Sequence, residues 1–77
     1  MTPGQCRAAR GLLNWSQVDL VERSGVSHKT LADFERGVTK PYRRTLAALI
    51  VALEAAGIEF IPRGVRTRAA GRKDAAR

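Results

Sequence analysis

Hydrophobic and polar positions follow a helical period up to Gly57 and a strand period after it. Thr2-Pro3-Gly4-Gln5 is a start signal: Thr2 can cap, Pro3 suits the first helical position, and Gln5 can close a capping box. Cys6, Ala9 and Leu13 then fall on one face, with Arg7 and Arg10 off it. This predicts a first helix over about residues 3–12, weakened at its end by Gly11. Ser16 is an N-cap for a second helix with Val18, Leu20 and Val21 inward and Asp19 and Glu22 outward. Acidic residues there also suit the helix dipole. Gly25 ends this helix as a left-handed residue would, and Val26 points into the core.

Ser27 caps a third helix. Leu31 and Phe34, three apart, must face inward, so His28, Lys29, Thr30 and Asp33 must face outward, and Gly37 stops the helix. Residues 38–44 form a loop in which Pro41 pushes Lys40 toward extended backbone. Thr45 is the expected cap of a fourth helix over residues 46–56. Leu46, Leu49, Ile50 and Leu53 make its i, i+3, i+4, i+7 stripe. That helix is nearly apolar all round, which predicts a central position, and Gly57 ends it.

The period then changes. Residues 58–61 are short, β-branched and aromatic, with Ile58 and Phe60 on one side. Pro62-Arg63-Gly64 is turn chemistry, and residues 65–68 can return as a second strand. Two arrangements satisfy this pattern. The strand can pair within the chain as a hairpin, or two copies can pair antiparallel across a two-fold axis. The second is the favoured expectation and makes Ile58, Phe60 and Ile61 dimerisation residues. Three units follow: a helical domain over 1–57, a strand or hairpin over 58–68, and a basic tail over 69–77 expected to be disordered.

Composition narrows the chemistry. With 77 residues the chain is at most one domain, and one of marginal size. Cys6 is the only cysteine and His28 the only histidine, so no disulfide is available and no ligand set has metal spacing. No signal-peptide pattern or bilayer-length apolar run is present, and a soluble, cytoplasmic protein with no membrane partner is expected. Fourteen Lys and Arg against seven Asp and Glu give a net charge of +7, which favours a polyanion as partner. The charge is concentrated toward the end, with a net +4 on residues 58–77.

An enzyme needs converging acid, base or nucleophile groups. His28 sits at an exposed helix start beside Lys29, and Cys6 lies on a buried face as a small apolar residue. No Gly-rich phosphate loop is present. The expectation is a non-enzyme with no catalytic residues, no metal and no cofactor.

Binding chemistry fits better. A helix start in the major groove presents two or three side chains to base edges while its amides meet phosphates. Lys29 can donate to guanine, Thr30 can meet a thymine methyl or a polar edge, and Asp33 can accept from cytosine N4. His28 can donate to a base or a phosphate, and Ser27 begins the same helix. The basic flanks Arg10, Lys40, Arg43 and Arg44 can hold phosphates on either side.

At Ser16-Gln17, Gly25-Val26-Ser27, Leu31 and Phe34-Glu35-Arg36-Gly37, with Arg10 before and Pro41 after, the chain resembles the Cro/C1-type helix-turn-helix family, often called the XRE family. The resemblance spans about residues 4–56. It implies four of the family's roughly five helices. The fold expected is all-α: a compact, four- to five-helix, lambda-repressor-like helix-turn-helix bundle with a short C-terminal β-strand or hairpin. By position the resemblance implies that Gln17 contacts a phosphate and braces the third helix. It also implies that Arg10 pairs structurally with Glu35. His28, Lys29, Thr30 and Asp33 occupy its base-reading positions, and Thr39, Lys40 and Arg43 its backbone-contacting loop. Two departures stand out: Val21 takes a position usually held by a small Ala, and residues 58–61 replace the fifth helix.

The function these readings predict is a sequence-specific double-stranded DNA-binding transcriptional regulator. It would be a homodimer that represses by occlusion, with the third helix in the major groove. The alternative is an antiactivator or antitoxin that keeps the fold and uses the residue 58–61 strand or the fourth helix against a regulatory protein partner. Asp33 favours that alternative, because a carboxylate near phosphates is costly unless it is paired.

Overall fold

Thr2 and Gln5 exchange the two hydrogen bonds of a capping box, at 3.0 and 2.9 Å, and so start helix α1 (Pro3–Leu13). The structure, a computed structural model, describes residues 1–68; the tail expected over 69–77 lies outside the described residues. α1 ends at Asn14, a left-handed cap with φ 60°. A second capping box, Ser16 with Asp19, starts α2 (Gln17–Ser24). Gly25 then turns the chain at φ 77°, a conformation that costs glycine nothing. α3 (His28–Glu35) starts on Ser27, whose hydroxyl accepts the Thr30 N–H at 3.2 Å. α4 (Arg43–Ala55) follows the loop, and β1 (Ile58–Ile61) pairs antiparallel with β2 (Gly64–Thr67).

One core joins all of these elements. Cys6 and Ala9 of α1, Leu20 of α2, Leu31 and Phe34 of α3, Leu49, Ala52 and Leu53 of α4, and Ile58 of β1 are buried together with Val26 from the turn. Because Val26, Leu31 and Phe34 all go inward, α3 is fixed along its length with its start outward. Val21 packs partly buried against the same core.

Four expectations are corrected. The protein is mostly but not strictly all-α: four helices carry a two-stranded hairpin. The strand pairs within the chain, in the register Ile58 with Thr67 and Phe60 with Val65. A two-residue turn lets a chain meet itself with little loop entropy, and β1 packs on α4 while β2 packs on α1. Ile58 is therefore fully buried in its own chain, and Phe60 and Val65 pack partly buried on the core.

The third correction is Val18, which is 50% exposed rather than inward. It lies about 200° around the helix from Leu20, so Leu20 at 0% exposure turns it outward. The fourth is α4, which begins before Thr45. Tyr42, at φ −61° and ψ 156°, is its N-cap without a side-chain cap bond, and the Leu46 N–H bonds to the Tyr42 carbonyl at 3.0 Å. Arg is a good helix former, so the helix extends back through Arg43 and Arg44 to the extended Tyr42 that follows Pro41. Nor is α4 enclosed all round, since Val51 is 63% exposed.

Gln5 joins the two ends of the fold. Its Nε2 donates to the Ile61 carbonyl at 2.9 Å and the Gly64 carbonyl at 3.0 Å, on either side of the hairpin turn. Arg68 closes the other end, its N–H donating to the Gly57 carbonyl and its guanidinium to that of Glu54.

Candidate nucleic-acid interface

The start of α3 is an exposed polar helix end held by the core. Ser27, His28 and Lys29 are exposed, and Thr30 is half-buried. The Ser27 hydroxyl accepts the Thr30 N–H and lies 2.8 Å from the Thr30 hydroxyl, so these two side chains fix each other. The amides of His28 and Lys29, by contrast, have no cap, as in the first turn of any helix.

Beneath this helix lies a polar node centred on Glu35, which is 2% exposed. Arg10 Nε donates to Glu35 Oε2 at 2.8 Å and Arg10 Nη2 to Oε1 at 2.7 Å. Gln17 Nε2 donates to Oε1 at 2.9 Å, and the Cys6 thiol donates to Oε2 at 3.1 Å. These donors fill the acceptor sites of an ionised carboxylate. Burial alone would raise the Glu35 pKa, but the bonds from Arg10, Gln17 and Cys6 outweigh it and hold the carboxyl below its ordinary value. The Cys6 thiol is driven well up, by burial first and then by the carboxylate it faces. Arg7 donates to the Glu35 main-chain carbonyl, and Arg10 Nη1 to that of Trp15 at 3.1 Å.

Gln17 thus braces α3, as the resemblance implied, and its carbonyl Oε1 lies 2.9 Å from His28 Nε2. One amide side chain from the start of α2 touches both ends of α3. The backbone amides of Gln17 and Val18 remain uncapped, because the Ser16 box serves Asp19.

Asp33 is outward in direction but covered in fact, with its side chain 13% exposed. Lys29 Nζ meets it at 2.9 Å and Arg36 Nη2 at 2.6 Å. The bond from Lys29 and then that from Arg36 pull the Asp33 pKa below its ordinary value. Its charge is therefore answered within α3 itself, which removes the sequence-based objection to a carboxylate near phosphates.

Toward the flanks, Lys40, Arg43 and Arg44 are exposed, and none forms an ion pair among the described residues. Arg43 and Arg44 stand in the first turn of α4, where the helix dipole disfavours cations and no acidic residue compensates them. Arg44, Ser27 and Thr30 border one open cleft of about 300 Å³, which brings the turn after α2, the start of α3 and the start of α4 together. Thr39 and Lys40 lie apart from it, beside the start of α1. Ile58, Phe60 and Ile61 lie in the hairpin, away from this cleft; Ile58 is buried in the core, Phe60 packs partly buried against it, and Ile61 is half-buried.

Sequence reasoning missed several members of this arrangement. Arg36 was legible as an i, i+3 partner of Asp33. Arg7 and Cys6 as a donor had no local signal, because each depends on how α1 meets α3, and Arg23 stacked 4.5 Å over Trp15 depends on how the linker after α1 folds against α2. Among the described residues, no helix is long and apolar enough to cross a membrane.

A family model described as helix-turn-helix matches residues 7–58, from within α1 to the first residue of β1. No curated protein matches the chain.

Proposed function

Because this chain belongs to the Cro/C1-type (XRE) helix-turn-helix family of DNA-binding regulators, we propose that it is a sequence-specific repressor that inserts α3 into the major groove of double-stranded DNA. The observation that carries this reading is the shared cleft. It joins the exposed start of α3 to the uncapped, doubly cationic start of α4, as reading bases and holding phosphates together require. His28, Lys29 and Thr30 face the bases, with Ser27 at the margin. Asp33 serves chiefly to set Lys29. Thr39, Lys40, Arg43 and Arg44 hold the backbone, and the free amides at the start of α2 add to them. Gln17 acts mainly beneath α3, since most of its amide is already engaged.

The protein acts without catalysis or cofactor, in the cytoplasm, by occupying its site and excluding other proteins from it. A homodimer on a pseudo-palindromic operator, with half-sites about 34 Å apart, suits a reading head this small. The alternative is a protein-binding antiactivator or antitoxin that keeps the same fold and uses the hairpin or α4 against another protein.

Selection of bound sites from random duplex DNA tests the proposal. Enrichment of a palindrome supports both the readout and the symmetry. Absence of any enriched sequence overturns the repressor reading in favour of the protein-binding one. Lys29→Ala is expected to weaken the cognate site by about 1–3 kcal/mol and to relax preference at one base pair.

A further inference from the structure

His28 has its donor already committed, and the reason runs through two other residues. Glu35 is ionised and can only accept, so the Gln17 amide must turn its NH2 toward it, as the 2.9 Å contact has it. That orientation is forced, since the reverse would set a carbonyl oxygen against a carboxylate in a buried site. It leaves Gln17 Oε1, an acceptor, facing His28 Nε2 at 2.9 Å. An acceptor there requires Nε2 to carry the proton. In the neutral imidazole the other nitrogen, Nδ1, is then a bare acceptor. His28 is exposed, and its Nδ1 has no partner among the described residues.

We propose that the Glu35–Gln17 relay locks neutral His28 as its Nε2–H tautomer, so that His28 reads DNA as a hydrogen-bond acceptor. Acceptors in the major groove meet the amino groups of adenine N6 and cytosine N4, and they are repelled by guanine O6 and N7 and thymine O4. His28 therefore selects adenine or cytosine on the strand it faces. In that neutral form it does not donate to a phosphate or to guanine, because its one N–H is spent on Gln17. Gln17 is a positioning residue in this scheme, and the buried carboxylate of Glu35 sets the sign of a contact made on the surface.

The base preference rests on α3 lying in the major groove, whereas the tautomer does not, and the test separates the two. His28 is the only histidine, so its ring nitrogens are the only imidazole signals of the full chain. Long-range proton–nitrogen correlation of the free protein, at alkaline pH where imidazole is neutral, is expected to show protonated Nε2 and a bare Nδ1. Gln17→Leu, with its fold checked by circular dichroism, is expected to relax this toward a mixture of tautomers. A wild-type ring that is a mixture, or that carries its proton on Nδ1, overturns the relay.

For the readout, sites selected by the wild type and by His28→Ala are compared, and the position whose preference the variant loses is the His28 contact. Adenine or cytosine there supports the inference, and guanine or thymine overturns the readout. The same is true of a variant that changes no position. If no sequence is enriched by either protein while the tautomer is as expected, the DNA-binding reading and the base readout fail and the relay stands.

Discussion

The guanidinium of Arg10 and the carboxylate of Glu35 meet side by side through two hydrogen bonds, at 2.8 and 2.7 Å, with Arg10 17% and Glu35 2% exposed. This pair ties the end of α3 to α1 and holds the axis about which the exposed start of α3 is aimed. Arg10→Ala leaves a buried carboxylate without its cation and is expected to destabilise the fold by about 3 kcal/mol. For a domain of this size that is a large share of the total. Urea denaturation followed by the fluorescence of Trp15, the sole tryptophan, measures it. Arg10→Lys keeps the charge but loses the planar pair of bonds, and is expected to fall between the two. Equal midpoints for all three proteins would show the pair to be energetically idle.

Acid should weaken the same node. The folded Glu35 pKa lies below its unfolded value, so its contribution is present in full above the ordinary carboxylate range. It is lost as pH falls through the lowered folded value. The wild type should therefore lose its stability advantage over Glu35→Gln progressively as pH falls from about 5 downward, through and below the ordinary carboxylate range. Urea midpoints of both proteins across that range give the difference directly. A difference that stays constant would mean that Glu35 is not the titrating group.

On the proposed reading, the start of α4 sets the salt response. Replacing Arg43 and Arg44 together by Ala should lower the dependence of log affinity on log salt by about 2, at about one per lost phosphate contact. The preferred sequence should be unchanged, because phosphates carry no base information. The variant should be no less stable than the wild type, since two cations leave the positive end of a helix. Loss of sequence preference would place these arginines among the bases instead.

Gln5 should govern the hairpin. Gln5→Ala removes two hydrogen bonds to strand carbonyls, worth about 0.5–1.5 kcal/mol each, and also the capping-box bond from the Thr2 N–H, so the first turn of α1 loosens with the hairpin. Amide hydrogen exchange is expected to accelerate first in β1, β2 and the first turn of α1, with α3 affected least. Uniform acceleration would mean that the hairpin and the helices open as one unit.

Much of this arrangement was legible because it is local. The Thr2–Gln5 capping box, the Ser16 cap and the Gly25 turn each lie within four residues, and a four-residue pattern specifies them, although the return bond between Asp19 and the Ser16 N–H was not read from the sequence. The facing of Leu31 and Phe34 follows from helical spacing alone. Val18 was misplaced because a short helix with three apolar residues in four positions has no unique inward face until a neighbour chooses one. Thr45 was taken as a cap because its side chain can cap, but the helix-forming tendency of two arginines carried α4 past it. The hairpin turned on a comparison that local pattern cannot make, between a strand offered to a second copy and one paired with β2 and packed on α4 in its own chain. Arg10 and Glu35 were paired by family resemblance, and the roles of Cys6 and Arg7 in the same node became visible only with the helices in place.

Gln5 also bears on how the molecule is made. Its partners lie 56 and 59 residues further along, and β1 supplies Ile58 to the core. The helices rest largely on short-range contacts and form fast, but the last closure joins sequence-distant segments and carries the loop entropy of nearly the whole domain. During synthesis α1 therefore emerges from the ribosome with one amide held ready for carbonyls not yet translated. Completion of the core, and with it a firmly seated α3, waits on β1 and β2.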